Sequence, residues 1–366
     1  MALTLDGTNG IVSSGSITTQ SATGVIFSDS SSLPAASSPY VLKNRIINGA
    51  MVIDQRNAGA VVTPTNGQYT LDRWAAQLSQ ASKFTVQQSS TAPVGFINSL
   101  KVTSSSAYTV GSSEVFLINQ YIEGLNVTDL AWGTANAKTV TLSFQVYSSL
   151  TGTFGGSIAD SSQAYSYPFT YSIPTANTWT TISITIAGPT AGTWLTTNGI
   201  GIRIWFGLGV GATLSGTAGA WTATGYYSAT GAVSVVGTNG ATFYITGVQL
   251  EIGTSATPFE RRLYRTELAN CQRYYEVLSG STTQNFFQDV YHNTASATMC
   301  MVLPFKVTKR ATPTCAQTGT WTASNCTFSG IVAGSDVLNL EYNVSGAGRC
   351  YFYSAGTAGI TASIEL

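Results

Sequence analysis

A site that cleaves a polysaccharide needs two carboxyl groups about 5–10 Å apart on one face. Between residues 54 and 160 the chain offers six acids: Asp54, Asp72, Glu114, Glu123, Asp129 and Asp160. None of them sits in a recognisable catalytic motif. The single histidine, His292, lies in FFQDVYHNTAS, where a surface or loop role fits better than that of a base, and one histidine leaves little room for a Ser-His-Asp triad. The five cysteines, Cys271, Cys300, Cys315, Cys326 and Cys350, are odd in number and contain no Cys-x-x-Cys pair. With one histidine beside them they do not make a zinc motif, and they read as small buried hydrophobes in a reducing compartment. No Gly-x-x-x-x-Gly-Lys loop is present. The expectation is a protein with no catalytic residues, no metal and no cofactor.

Binding is the chemistry these residues support. Sugars pack their C–H faces on aromatic rings and meet Asn, Gln, Asp and Ser through their hydroxyls, and the chain is rich in both kinds of partner. Trp132, Trp179, Trp194, Trp205, Trp221 and the pair Tyr226–Tyr227 stand near turns or on outward strand positions. Toward the C-terminal end Phe286, Phe287, Tyr291, Trp321, Tyr351 and Tyr353 do the same. Tyr351 and Tyr353 alternate with Cys350 and Phe352, so one of these pairs must face out. This second set is the expected ligand-binding group.

The elements that carry these residues follow from periodicity. Alternation places Val140, Leu142, Phe144 and Val146 on one strand face, and likewise Ile182, Ile184 and Ile186. It also aligns Ile200, Ile202, Ile204, Phe206 and Leu208, opposite Arg203 and Trp205. Turn residues separate many such runs between 44 and 260, which predicts a jelly-roll β-sandwich. Alternation resumes in SATMCMVLPFKV and VLNLEYNVSG, so 280–366 is expected to be a smaller β-sandwich.

Between the two, residues 248–276 hold eight of the 32 charged side chains: Glu251, Glu260, Arg261, Arg262, Arg265, Glu267, Arg273 and Glu276. Tyr264, Leu268, Cys271, Tyr275 and Leu278 are spaced four, three, four and three, one apolar stripe of a helix of about four turns. This predicts a junction helix over 261–279 whose charges solvate its free face. The stripe packs either on its own sandwich or against sister subunits. Residues 1–43 are Ser/Thr/Gly-rich with scattered apolar residues, Leu3, Leu5, Ile11 and Val12 among them, and read as an extended arm and linker.

Charged residues make up 9% of the chain and the formal net charge is zero, which gives no electrostatic footprint for nucleic acid. No run of about 18 apolar residues suggests membrane insertion, and MALTLDGTNGIVSSG does not read as a secretory signal.

Two stretches carry a resemblance. NRIINGAMVIDQRNAG (44–59) with YTLDRW (69–74) resembles the start, and VQLEIGTSATPFERR with CQRYYE the end, of the β-sandwich in tailed-bacteriophage virion appendage proteins of the tail-fibre or receptor-binding type. PFKVTKRATPT and the closing ASIEL are similar to the C-terminal domain of that group. The resemblance implies a homotrimer in the virion. Its arm would dock on other virion proteins, and its distal domain would hold host-surface glycan or lipopolysaccharide. Related sequences also serve as head fibres, decorations or adaptors without a ligand. A polysaccharide-degrading tailspike is a further alternative. The motif charges Asp54 with Arg56, and Asp72 with Arg73, read as pairs at sheet ends.

Overall fold

A computed structural model describes residues 25–26, 32–33, 43–279, 285–293, 297–354, 356 and 358–366. The chain divides into Met1–Lys43 and Asn44–Leu366. In the first unit β1 (Val25–Ile26) pairs antiparallel with β2 (Ser32–Leu33). Leu3, Leu5, Ile11 and Val12 lie outside the described residues.

The second unit is almost entirely β and begins with a sandwich of two antiparallel sheets. One sheet has six strands: β3 (Tyr69–Leu71), β4 (Trp74–Leu78), β7 (Val115–Glu123), β9 (Gly152–Ala159), β10 (Ser166–Ile173) and β12 (Ile200–Val210), in the order β10-β9-β12-β7-β4-β3. The other has five: β5 (Phe84–Ser89), β6 (Ser99–Ser104), β8 (Val140–Ser148), β11 (Thr180–Ile186) and β15 (Thr242–Ile252), in the order β11-β8-β15-β6-β5. A short parallel pair, β13 (Ser215–Gly216) and β14 (Ser228–Ala229), lies in the long connection before β15.

Strand alternation decides what lies between the sheets. Val140, Leu142, Phe144 and Val146 are all buried there with Ile202, Ile204, Phe206 and Leu208, as their period of two predicts. Trp74, Phe144 and Phe169 pack around Phe206, with ring centroids 5.1–6.2 Å away.

The C-terminal part is a smaller β unit of three three-stranded antiparallel sheets sharing one core. The first joins β16 (Tyr275–Ser279), β24 (Gly359–Ser363) and β19 (Thr314–Thr318). The second joins β17 (Asn285–His292), β23 (Gly348–Ser354) and β20 (Trp321–Ser324). The third joins β18 (Thr298–Pro304), β22 (Val337–Val344) and β21 (Cys326–Ala333). Leu278, Met299, Leu338, Leu340, Phe352 and Ile360 fill the space between them.

The charged segment departs from expectation. The helix, α1, spans only Tyr264–Gln272, and the chain then turns at Arg273–Tyr274 into β16. Cys271, Tyr275 and Leu278 are buried within this chain, while Tyr264 is exposed. The expected stripe therefore does not form a continuous seam for sister subunits. Tyr275 and Leu278 belong to a strand, and Tyr275 lies beneath the Arg56 guanidinium at 3.6 Å.

Arg261 and Arg265 are exposed, but most of the charges point inward instead of solvating a free face. Glu267 accepts a hydrogen bond from the Asn48 backbone N–H and pairs with Arg262. Glu260 accepts from the Asn44 N–H, and Arg262 donates to the Asn44 and Ile46 carbonyls. Arg273 forms a two-point pair with Glu123, which also accepts from the Tyr274 hydroxyl at 2.5 Å. Glu276 and Lys309 form a fully buried ion pair.

The motif pairs at the sheet ends are not pairs either. Arg56 and Arg73 both reach Glu365, near the far end of the chain. Asp72 instead accepts from the backbone and side-chain amides of Gln55, at 2.7 and 2.6 Å.

The same residues explain the motif spacing. Asn44 donates to the Val248 carbonyl and accepts from Leu250 N. Gly49 lies so close to β15 that a Cβ would sit 2.2 Å from the Val248 carbonyl oxygen. Asn48 holds a left-handed φ of 57°, which Asn tolerates, and its side chain bridges Ile53 and Asp72. NRIING, LDRW, VQLE and FERR are thus one interlocked corner.

Candidate ligand-binding face of the distal sheet

The sheet β17-β23-β20 carries the aromatics singled out from the sequence, and its register sorts them. Directly opposed residues of antiparallel strands share a face. Asp289 opposes Tyr351 and Tyr291 opposes Arg349, while Ser324 and Thr322 oppose Tyr351 and Tyr353 from the other side. One face therefore holds Asp289, Tyr291, Arg349, Tyr351, Tyr353, Thr322 and Ser324. Cys350 and Phe352, between the tyrosines, are fully buried. Alternation left open which pair faced out, and the answer is the tyrosines.

β17 enters this sheet through an irregularity. The register shifts between Asn285 and Gln288, and Phe286 adopts φ 49°, a left-handed conformation unusual for an aromatic residue. The twist turns the Phe286 ring onto Trp321, stacked at 5.7 Å and 18°, against the core. Trp321 donates its indole N–H to the Thr318 carbonyl. These two rings, expected at the ligand face, are packing residues. Phe287, next along, is exposed, and Tyr291 is the most open aromatic of the region at 73%.

The Tyr351 and Tyr353 rings lie nearly parallel at 6.2 Å, with the Arg349 guanidinium 5.2 Å from Tyr351. Arg349 grips Asp289 through two nitrogens, at 2.7–3.1 Å. That hydrogen-bonded pair holds the Asp289 carboxyl below, and the guanidinium above, its ordinary pKa. The face thus combines apolar rings with one fixed ion pair and two hydroxyls, Thr322 and Ser324. Arg349, Asp289, Thr322 and Ser324 were not anticipated. The alternation of GRCYFYS already puts Arg349 on the tyrosine face, whereas the other three require the strand pairing.

The remaining tryptophans divide differently. Trp205, expected to face out, is fully buried with Tyr227 against it at 4.7 Å. Trp132, Trp194 and Trp221 pack edge to face at 4.7–5.6 Å, and Tyr165 stacks on Trp221. Each indole N–H of that trio donates to a backbone carbonyl.

The six acids each have a local task. Asp54 accepts from Asn57 N and Gly59 N, and Asp160 from Ala164, Tyr165 and Thr193. Glu114 accepts from Gly111 N and Tyr108. Asp129 pairs with Arg45, Glu123 with Arg273, and Asp72 with Gln55. Among the described residues no cluster of His, Cys, Asp and Glu is arranged to hold a metal ion. No described helix is long and apolar enough to cross a membrane.

No protein-family model matches the sequence, and a search of the curated proteins finds no match. Among solved structures, the chain is similar to the enzymatically active domain of tailspike protein 4 of bacteriophage CBA120, at 15% identity and TM-score 0.32, covering 57% of this chain and 21% of that one. It therefore spans about a fifth of the tailspike chain's length. It is also similar to the family 11 carbohydrate-binding module of Clostridium thermocellum in complex with a mixed-linked tetrasaccharide, at 12% identity, TM-score 0.29, 52% and 94% covered. A third likeness is to the C-terminal family 22 carbohydrate-binding module of C. thermocellum Xyn10B, at 13% identity, TM-score 0.28, 53% and 99% covered. Each likeness is partial and at low identity.

Proposed function

We propose that this protein is a tailed-bacteriophage virion appendage that attaches the particle to the host surface by binding glycan or lipopolysaccharide on the outer face of the β17-β23-β20 sheet. The observation that carries this reading is the grouping of exposed Phe287 and Tyr291 with half-buried Tyr351 and Tyr353 around the Arg349–Asp289 pair. Rings offer area for pyranose C–H faces at little conformational cost, and the flanking polar groups meet hydroxyls. The protein acts by binding, without catalysis; the engagement of the six acids in turns and ion pairs supports that part. In this reading it is a homotrimer whose residues 1–43 dock on other virion proteins. Three weak sites per trimer, repeated over the particle, give avidity.

The test is an array of bacterial surface polysaccharides and lipopolysaccharides, probed with the purified protein and with Tyr351→Ala/Tyr353→Ala. Saturable binding that weakens about tenfold in the variant, the size of a loss of about 1.4 kcal/mol, is the expected result. A folded protein that binds nothing on the array, or a variant that binds equally well, overturns it. Sedimentation equilibrium tests the assembly against the 38.3 kDa chain mass.

A further inference from the structure

The outer face of the five-stranded sheet in the sandwich carries a second arrangement, unrelated to the distal sheet. Following the register from strand to strand, Tyr147 on β8 opposes Tyr244 on β15, Tyr244 opposes Lys101 on β6, and Lys101 opposes Gln87 on β5. Trp179, immediately before β11, continues the row at the other edge, its ring 5.5 Å from that of Tyr147. Tyr147 and Tyr244 meet edge to face at 5.1 Å, and the Lys101 ammonium lies 5.7 Å from the Tyr244 ring. Three rings, a cation and an amide thus cross the sheet in one line. At about 4.8 Å between strands the line is roughly 19 Å long; Tyr244 at its middle is buried and the Gln87 amide donates to the Gly59 carbonyl, so Trp179, Tyr147 and Lys101 are the members left for a ligand.

The next positions on the same face are polar. Gln145 opposes Thr181 on one side and Thr246 on the other, and Ser143 opposes Ser183. Beside them is a recess of about 350 Å³ lined by Ser143, Gln145, Thr181, Phe96, Phe259 and Arg261. Gln145, Ser143 and Thr181 make no side-chain hydrogen bond among the described residues, so their polar ends are open to a ligand. Arg261 lies against Phe96 at 4.7 Å and Phe259 at 5.8 Å.

The solvent-accessible charge on this face has one sign. Neither Lys101 nor Arg261 forms an ion pair among the described residues. The carboxylate that the register brings to this face, Glu251, is 2% exposed and engaged by Gln249 and Thr257. In a chain with no net charge, two cations outside any ion pair, Arg261 donating only to the Gly95 carbonyl, stand beside the Trp179 and Tyr147 rings and the open Gln145 amide, and together they select a partner with hydroxyls, apolar ring faces and negative charge.

We propose that this face is a second binding site, and that it takes an acidic polysaccharide, its sugar faces on Trp179 and Tyr147 and its anionic groups on Lys101 and Arg261. A carboxylate-, sulfate- or phosphate-bearing polymer presents that chemistry, and the experiment separates the three. Affinity electrophoresis of the full chain is run through gels containing polygalacturonate, dextran sulfate, polyglycerol phosphate or neutral dextran. At least one acidic polymer is expected to retard the protein while dextran does not, and added salt is expected to weaken the retardation. Trp179→Ala and the pair Lys101→Gln/Arg261→Gln should each weaken it about tenfold or more. Lys101→Arg should retain it, and so should Tyr351→Ala/Tyr353→Ala on the distal sheet.

The thermal midpoint of each variant identifies any that fail to fold, and the surface change Lys101→Gln alone then serves as the reporter. Three outcomes overturn the proposal. The first is no retardation by any acidic polymer. The second is retardation that survives Trp179→Ala, which is plain ion exchange. The third is retardation abolished only by the distal tyrosine variant.

Discussion

The joint between the two β units and the distal sheet are each built from an arginine, a tyrosine and a carboxylate. At the joint, Arg73 lies 3.6 Å from the Tyr274 ring and binds Glu365, with the two side chains 1% and 8% exposed. On the distal sheet, Arg349 lies over Tyr351 and binds Asp289, at 66% and 28%. Chemistry does not separate them; solvent does. A buried guanidinium must have every partner supplied by the protein, so removing one leaves a bare charge. An exposed one is screened, contributes little to folding, and keeps donors free for something arriving from outside.

The largest expected effect is at the joint. Arg73→Met leaves Glu365 with Arg56 as its one remaining cation and removes the donor to the Tyr121 carbonyl. It should lower unfolding stability by about 3–5 kcal/mol in urea denaturation. A loss as small as that of a surface ion pair would erase the distinction between the two regions.

An intermediate effect is expected from Asp72, in the same corner. Burial pushes its carboxyl up to about 6, outweighing the Gln55 amides that favour the charged form. A raised carboxyl contributes stability that is full below about pH 4, its unfolded value, and is lost as pH rises through about 6. In thermal unfolding, the stability of the wild type relative to Asp72→Asn should fall by of the order of 2–3 kcal/mol as pH rises across that window. A constant difference would mean that Asp72 is ionised throughout.

The smallest effect on folding belongs to Arg349→Met. Its unfolding midpoint should match the wild type, while glycan binding at the distal sheet falls. Because the Arg349 pair holds the Asp289 carboxyl down, the face keeps its charge to below the ordinary carboxylate range and should lose it only in stronger acid. A destabilised Arg349→Met with intact binding would reverse the assignment of the two regions.

The sandwich strands were legible because a buried face every second residue is a local property. Val140 to Val146 and Ile200 to Leu208 announce themselves without reference to anything distant. The helix was read too long because Tyr275 and Leu278 fit the helical spacing by coincidence. No Gly or Pro marks the turn at Arg273–Tyr274, and only pairing with β24 makes Tyr275–Ser279 a strand.

Charge partners were illegible for a different reason. Arg73 and Glu365 are 292 positions apart, and no pattern in either neighbourhood announces the other. The row from Trp179 to Gln87 draws on four strands, and the residue before a fifth, whose order in space is not their order in the chain, so it exists only once the register is known. On the distal sheet, the tyrosine and Arg349 positions followed from alternation within one strand. The departure of Phe286 depended on a backbone irregularity that its sequence does not mark.

The joint also has a mechanical meaning. One covalent connection, through α1, links the sandwich to the smaller unit, and a lone connection would act as a swivel. Here Arg273–Glu123, Arg310 on the Asn198 carbonyl, Glu365 on two arginines and the Tyr69 hydroxyl on the Leu366 carbonyl tie it down at separate points. Anchors spread across a surface resist torque as well as tension. A pull on the distal sheet is therefore carried into the six-stranded sheet as by a spanner fixed to a bolt, and whatever that sheet grips is held at a set angle instead of on a loose leash.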